Sequence, residues 1–197
     1  VEWELGNMSE KQDILDYIEN NKYDYVEMSH RIHERPELGN EEIFASRTLI
    51  DSLKANGFEI ETDIVGHATG FIARYESNKE GPAIGFLAEY DSLPGLGHAC
   101  GHNIIGTAST LGGIALKQVI DDIGGSVVVL GCPAEEGGEN GSAKASYVKA
   151  GIIDEIDIAL MVHPGNETYK TINTLAVDVL DVKFYGKSAH ALSLIHI

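Results

Sequence analysis

The chain has 197 residues with 31 acidic against 14 basic side chains, a net charge of −17, so it offers no basic surface to neutralise phosphates and nucleic acid is not expected as a partner. At 43% hydrophobic and 23% charged it has the balance of a soluble globular protein with enough apolar material for a core. No apolar run reaches membrane-spanning length, so no membrane partner is expected either.

The first residues, Val1-Glu2-Trp3-Glu4, lack the basic and apolar regions of a signal peptide, and a cytoplasmic protein is the default. Residues 9 to about 35 form a helical pattern with Ile14, Tyr17, Ile18, Tyr25, Met28 and Ile32 as candidate buried positions. Ser9 is its candidate cap, and Pro36 ends it. A second helix is predicted over 41–56, with Ile43, Phe44, Leu49, Ile50 and Leu53 as its apolar stripe and Gly57 as its stop. Two strand-like runs follow at 58–64 and 69–75, then a polar turn.

From Ala83 the pattern changes. Ala83–Ala88, Ser126–Gly131 and 158–162 are continuous apolar runs, each read as a buried strand. Between them lie a helix from 103 to about 121, whose glycines and alanines allow close packing, and a short helix over 142–150. Buried strands alternating with helices predict an α/β fold, a mostly parallel sheet with helices on both faces.

Ligands of such sheets sit beyond the carboxyl ends of the strands. After the first run come Glu89, Asp91, His98, Cys100 and His102; after the second, Glu135 and Glu136; after the third, His163. Imidazole, thiolate and carboxylate are the ligands of zinc and its neighbours, and their return at three strand ends points to a metal site. If 97–103 is extended, His98, Cys100 and His102 share one face. Cys132, the other cysteine, reads as a bystander rather than a disulfide partner. Adjacent carboxylates in a turn point in different directions, so one of Glu135 and Glu136 can bind a metal while the other moves protons. Cys100 lies just before a helix start, which favours a thiolate. That leaves a rival, a Cys-His thiol hydrolase using Cys100 and His102, although it gives Glu135, Glu136 and His163 no work.

Five motifs occur in one order: His33-Glu34-Arg35-Pro36-Glu37-Leu38 with Glu41-Glu42, Asp91-Ser92-Leu93-Pro94, His98-Ala99-Cys100-Gly101-His102, Pro133-Ala134-Glu135-Glu136-Gly137, and Gly186-Lys187-Ser188-Ala189-His190-Ala191. With them the chain resembles the aminoacylase and carboxypeptidase-type zinc metallopeptidases, peptidase family M-twenty, and most of all its amidohydrolase branch. The resemblance implies hydrolysis of the amide bond of N-acyl amino acids or dipeptides by a metal-bound hydroxide. It implies Glu135 as general base and Cys100, His102, Glu136 and His163 as metal ligands. Asp91 would support them, and His190 would bind substrate from a lid domain. His98 is in the motif but is not usually a ligand. The implied cofactor is a divalent metal, two ions, with zinc favoured and manganese, cobalt or nickel allowed.

Leu87-Ala88-Glu89-Tyr90-Asp91 departs from the branch's common Arg-Ala-Asp-Met-Asp and favours its β-alanyl-dipeptide (carnosine-like) dipeptidase group. On the same resemblance residues 1–172 are the first part of a catalytic domain, and 173–197 begin a ferredoxin-like lid through which the full-length parent forms a homodimer. The last metal-binding histidine would lie beyond the chain, so the chain alone is expected to be inactive. His196 is not assigned as that ligand, because 192–197 do not continue the family pattern. The alternative from another class is a catalytically silent relative that binds metal or an amino acid.

Overall fold

The computed structural model describes residues 2–138, 140–168, 182–183 and 185–186. The chain divides into two compact units, Val1–Pro164 and Gly165–Ile197. The first unit contains α1 (Glu2–His33), α2 (Ile43–Ala55), β1 (Glu59–Ile64), β2 (His67–Glu76), β3 (Ala83–Ala88), α3 (His102–Ile123), β4 (Ser126–Gly131), α4 (Ala143–Lys149), a 3-10 turn (Ile152–Glu155) and β5 (Ile158–Leu160). His190 and most of the predicted lid lie outside the described residues.

The five strands form one sheet in the order β1-β2-β4-β3-β5. β4, β3 and β5 are parallel, whereas β1 and β2 form an antiparallel hairpin joined to the edge of β4. The sheet is therefore mixed, with its parallel half carrying the residues of interest. Alternation along the strands sorts the core into two layers. Phe71, Ala73, Val127 and Val129 join the cluster built with Ile32, Leu49, Leu53, Ile114 and Ile120 of α1, α2 and α3. Ile72, Val128 and Leu130 join the opposite cluster, with Ala143 and Tyr147 of α4. Helices cover both faces, as expected from uninterrupted apolar strands.

The chain leaves β3 toward α3 on one face and leaves β4 toward α4 on the other. Such a reversal opens a crevice at the carboxyl ends of the two strands. α3 lies close to the sheet because its small residues let it. A Cβ on Gly113 would stand 2.5 Å from Val129 Cγ2, and one on Gly112 would stand 3.0 Å from Phe86 Cε1.

Two sequence expectations need correction. Ser9 does not cap the first helix, which already begins at Glu2. The third strand is not buried: β5 runs only over Ile158–Leu160 and is exposed throughout. It pairs with β3 along one side, and its exposure, despite its apolar composition, reflects its place at the edge of the described sheet rather than in its centre.

The packing of α3 makes a prediction. In an open helix Gly113→Ala would gain roughly 1 kcal/mol from helix propensity. Here the methyl meets a stiff, fully buried valine, and overpacking of this kind costs about 1–3 kcal/mol. Chemical denaturation should show Gly113→Ala destabilised and the pair Gly113→Ala/Val129→Ala less so than the separate effects added. A Gly113→Ala protein more stable than the parent would contradict the close approach.

Candidate metal centre

Each strand of the parallel half ends in acidic, histidine or cysteine side chains. Beyond β3 the chain carries Glu89 and Asp91, both buried. It then turns through 92–101 and enters α3 at His102. Beyond β4 lies the 133–137 turn with Glu135 and Glu136, and beyond β5 lies His163.

The structure gathers these residues into two overlapping sets. Ligand atoms of Cys100, His102 and Glu136 lie within 4.8 Å of one another, and so do those of Glu89, His102 and His163. Cys100, His102, Glu136 and His163, the residues expected as ligands, each fall in at least one of the sets, and Glu89 joins them. Its signal in the sequence was its position directly after β3, but an acidic residue there does not by itself separate a ligand from a structural carboxylate.

His102 is the shared member. Its Nδ1 is 2.8 Å from Asp91 Oδ1, which leaves Nε2 to face the cluster, 3.3 Å from Glu89 Oε2 and 3.7 Å from Glu136 Oε1. Burial pulls the imidazole pKa down, but the carboxylates of Asp91, Glu89 and Glu136 together outweigh it and raise the pKa. The other oxygen of Asp91 accepts the Glu136 N–H at 2.9 Å. One buried carboxylate thus orients a ring on one strand end and a backbone on the next, an arrangement typical of the residues that support metal ligands.

The 97–103 stretch is not extended. It turns, with Ala99 N–H bonded to Gly97 O and Gly101 N–H bonded to His98 O. Cys100 and His102 are brought together, whereas His98 is buried beside the His33 ring, 6.1 Å between centroids, and belongs to neither ligand set. The face-sharing expectation for His98 is thereby corrected. Gly101 has φ 77°, and a Cβ there would stand 2.8 Å from Pro164 Cγ. Glycine thus lets the segment after β5 come close, and the His163 ring sits edge-on to His102 with centroids 6.0 Å apart.

The thiolate expectation also needs correction. Cys100 is pushed up to about 11, first by its hydrogen bond with Glu136, then by burial and by the charges of Glu136, Asp91 and Glu89. The surrounding carboxylates outweigh the nearby helix start. A thiol held protonated is a poor nucleophile, whereas a coordinating metal deprotonates a thiol outright. Cys132 is buried and free, with burial pushing its thiol up to about 12.

Glu135 and Glu136 diverge. Glu135 Oε2 accepts hydrogen bonds from Ser142 Oγ at 2.8 Å and Lys144 Nζ at 3.0 Å, while Glu136 faces His102. Lys144 also pairs with Glu89 Oε1. The turn pivots on Ala134, which is fully buried with φ 59°, a left-handed conformation that costs a non-glycine residue about 1–2 kcal/mol.

The donor set fits a divalent first-row metal. Thiol, imidazole and carboxylate donors converge in one crevice. Glu89 Oε2, in a residue 1% exposed, accepts no hydrogen bond, although His102 Nε2 stands 3.3 Å away. A buried carboxylate oxygen left in that state is costly, and a cation among Glu89, His102 and His163 would satisfy it.

No family model matches the chain. Among curated proteins it is 33% identical over 206 residues to a p-aminobenzoyl-glutamate hydrolase polypeptide of Escherichia coli, covering 93% of this chain and 41% of that protein. It is 37% identical over 105 residues to the Xaa-Arg dipeptidase of Mus musculus, covering 51% of this chain and 24% of that protein. The chain therefore spans less than half the length of these relatives. Among solved structures it shares its fold with the YXEP protein of Bacillus subtilis, a dinuclear metal-binding peptidase of family M-twenty, at TM-score 0.56 and 24% identity over 70% of this chain and 41% of that one. With the likeness to the p-aminobenzoyl-glutamate hydrolase polypeptide running through 93% of its length at 33% identity, the chain belongs to the M-twenty family of peptidases and amidohydrolases.

Proposed function

We propose that the protein is a metal-dependent hydrolase that cleaves the amide bond of an N-acyl amino acid or dipeptide. The observation that carries this reading is the convergence of Glu89, Cys100, His102, Glu136 and His163 beside a divergent carboxylate, Glu135. Similarity to a p-aminobenzoyl-glutamate hydrolase and an Xaa-Arg dipeptidase supports amide substrates of that size.

Cys100, His102, Glu136 and His163 would hold the metal, with Glu89 beside them and Asp91 orienting His102. Two ions would fit the two donor sets only if the one that does not take His102 Nε2 gains a further donor, because Asp91 holds the other ring nitrogen. A single His102 nitrogen serves one of them, and mixed thiolate and imidazole donors favour zinc while admitting manganese, cobalt or nickel. When bound, a divalent ion supplies Lewis acidity, polarising the scissile carbonyl and making water acidic enough to attack near neutral pH. Glu135 takes the proton of the attacking water and passes it to the departing amine. Ser142 and Lys144 fix its Oε2, which leaves Oε1 as the oxygen for that transfer.

The lid over 173–197, substrate contact by His190, a homodimer formed through the lid and a cytoplasmic setting complete the proposal by resemblance to the family. Among the described residues no helix is long and apolar enough to cross a membrane. The carboxylates around Cys100, which hold its thiol protonated in the absence of a cation, favour the metal reading over a Cys-His thiol hydrolase.

The direct test is a screen of N-acyl amino acids and dipeptides with the full-length protein before and after chelation. Activity should vanish with chelator and return with added metal; activity indifferent to chelation would overturn the proposal. Within that assay Glu135→Gln should lower turnover by about two to four orders of magnitude with metal content unchanged. Loss of metal in that variant would mean the two glutamates have exchanged roles. Cys100→Ser should weaken metal binding and make activity depend more on added metal, because a hydroxyl is a poor ligand in place of a thiolate. Dead enzyme with full metal occupancy would instead make Cys100 a nucleophile.

A further inference from the structure

The motif from His33 to Glu42 takes no part in the proposed chemistry, yet it ends in a buried carboxylate. Glu42 is 0% exposed and belongs to neither ligand set. Its Oε1 accepts the Ala134 N–H at 2.9 Å, and its Oε2 accepts the Thr69 hydroxyl at 2.6 Å. Thr69 lies in β2, and its backbone oxygen is in turn held by the buried Tyr90 hydroxyl at 2.7 Å. A line of bonds thus runs from the sheet through Glu42 to the turn that bears Glu135 and Glu136.

The need for such a partner follows from the backbone. Cys132 N–H still bonds to Ala88 O, extending the ladder of β3 and β4 one step past β4. By Ala134 the chain has turned left-handed and left the ladder. A buried N–H there must find another acceptor, and a carboxylate is the strong choice. A second contact ties the same two segments. A Cβ on Gly39 would stand 2.3 Å from Gly137 O and 2.9 Å from Ala134 Cα, so the loop before α2 and the turn after β4 touch along their backbones.

We propose that Glu42 is the positioning residue of the Glu135–Glu136 turn. Its carboxylate holds the Ala134 amide in the conformation from which the two glutamates diverge, Glu135 to Ser142 and Lys144, and Glu136 to His102. The kinetic consequence rests on Glu135 being the proton carrier, whereas the positioning does not. The role does not require Glu42 to change protonation, since either form presents an oxygen to Ala134.

The test compares Glu42→Ala, Glu42→Gln and Thr69→Val in the full-length protein by amide hydrogen exchange at Ala134, kcat, KM and metal content. Glu42→Ala should speed exchange at Ala134 and lower kcat about a hundredfold, the scale of a misplaced catalytic group. KM should stay within about threefold and metal should be retained, because Asp91 still holds the Glu136 amide. Glu42→Gln keeps an acceptor for Ala134 and should recover kcat to within about tenfold of the parent. Thr69→Val disturbs the same buried spot but spares the Ala134 bond, so it should lower stability while leaving Ala134 exchange and kcat near those of the parent. Unchanged exchange in Glu42→Ala, or equal loss of kcat in Glu42→Ala and Thr69→Val, would overturn the proposal. If Glu42→Ala does not fold, Glu42→Gln decides, because its neutral amide oxygen is a weaker acceptor than a carboxylate: exchange at Ala134 must rise modestly in it and not in Thr69→Val. A parent protein without amide hydrolysis but with this exchange pattern would remove the proposed function and leave the positioning role standing.

Discussion

The two hydrogen bonds made by Asp91 are the constraint on which the site depends. One oxygen fixes the ring of His102 and the other fixes the backbone of Glu136. The residues come from the ends of adjacent parallel strands, so the spacing of those strands becomes the spacing of the donors. Without this bridge the His102 ring would be free to rotate and the turn after β4 would lose an anchor. Glu42 anchors the same turn two residues earlier. The carboxylates that bond backbone and ring are thus distinct from those left to face the centre.

The centre concentrates negative charge, and the surrounding groups respond to it. Glu89, Asp91 and Glu136 push the Cys100 thiol upward and, against burial, raise His102. Lys144 is drawn in between Glu89 and Glu135, and its pKa rises because those two carboxylates outweigh the loss of solvent. These features make the crevice a poor place for a thiol nucleophile and a good one for a divalent cation. The same electrostatics that disfavour the free thiolate are relieved once a cation sits among the carboxylates.

Much of this arrangement was legible in the sequence. The uninterrupted apolar character of Ser126–Gly131 matches a strand buried on both faces; of the stripe expected for α2, Leu49 and Leu53 are buried and Phe44 and Ile50 pack against the core, whereas Ile43, at the helix start, is 69% exposed. Convergence at the strand ends followed from topology alone: in a parallel sheet, residues after each strand meet on one edge. What escaped was long-range or depended on local turns. β5 has the composition of a central strand but lies at the edge of the described sheet, because composition does not record neighbours. His98 alternates with Cys100 and His102 in sequence, yet the turn at 97–101 sends it toward His33. Glu89, Lys144 and Glu42 are acidic or basic residues of ordinary appearance, and only the fold shows which of them meet. The helix-start argument for Cys100 was sound locally and was overruled by carboxylates from other strand ends.

Cobalt substitution tests the central claim most directly, since it reads the donor set without relying on turnover. The account predicts that cobalt bound to the metal-free full-length protein shows a thiolate-to-metal charge-transfer band, that Cys100→Ser abolishes the band, and that Cys132→Ser leaves it unchanged. Absence of the band in the parent protein, or its loss in Cys132→Ser alone, would contradict a metal centre built on Cys100.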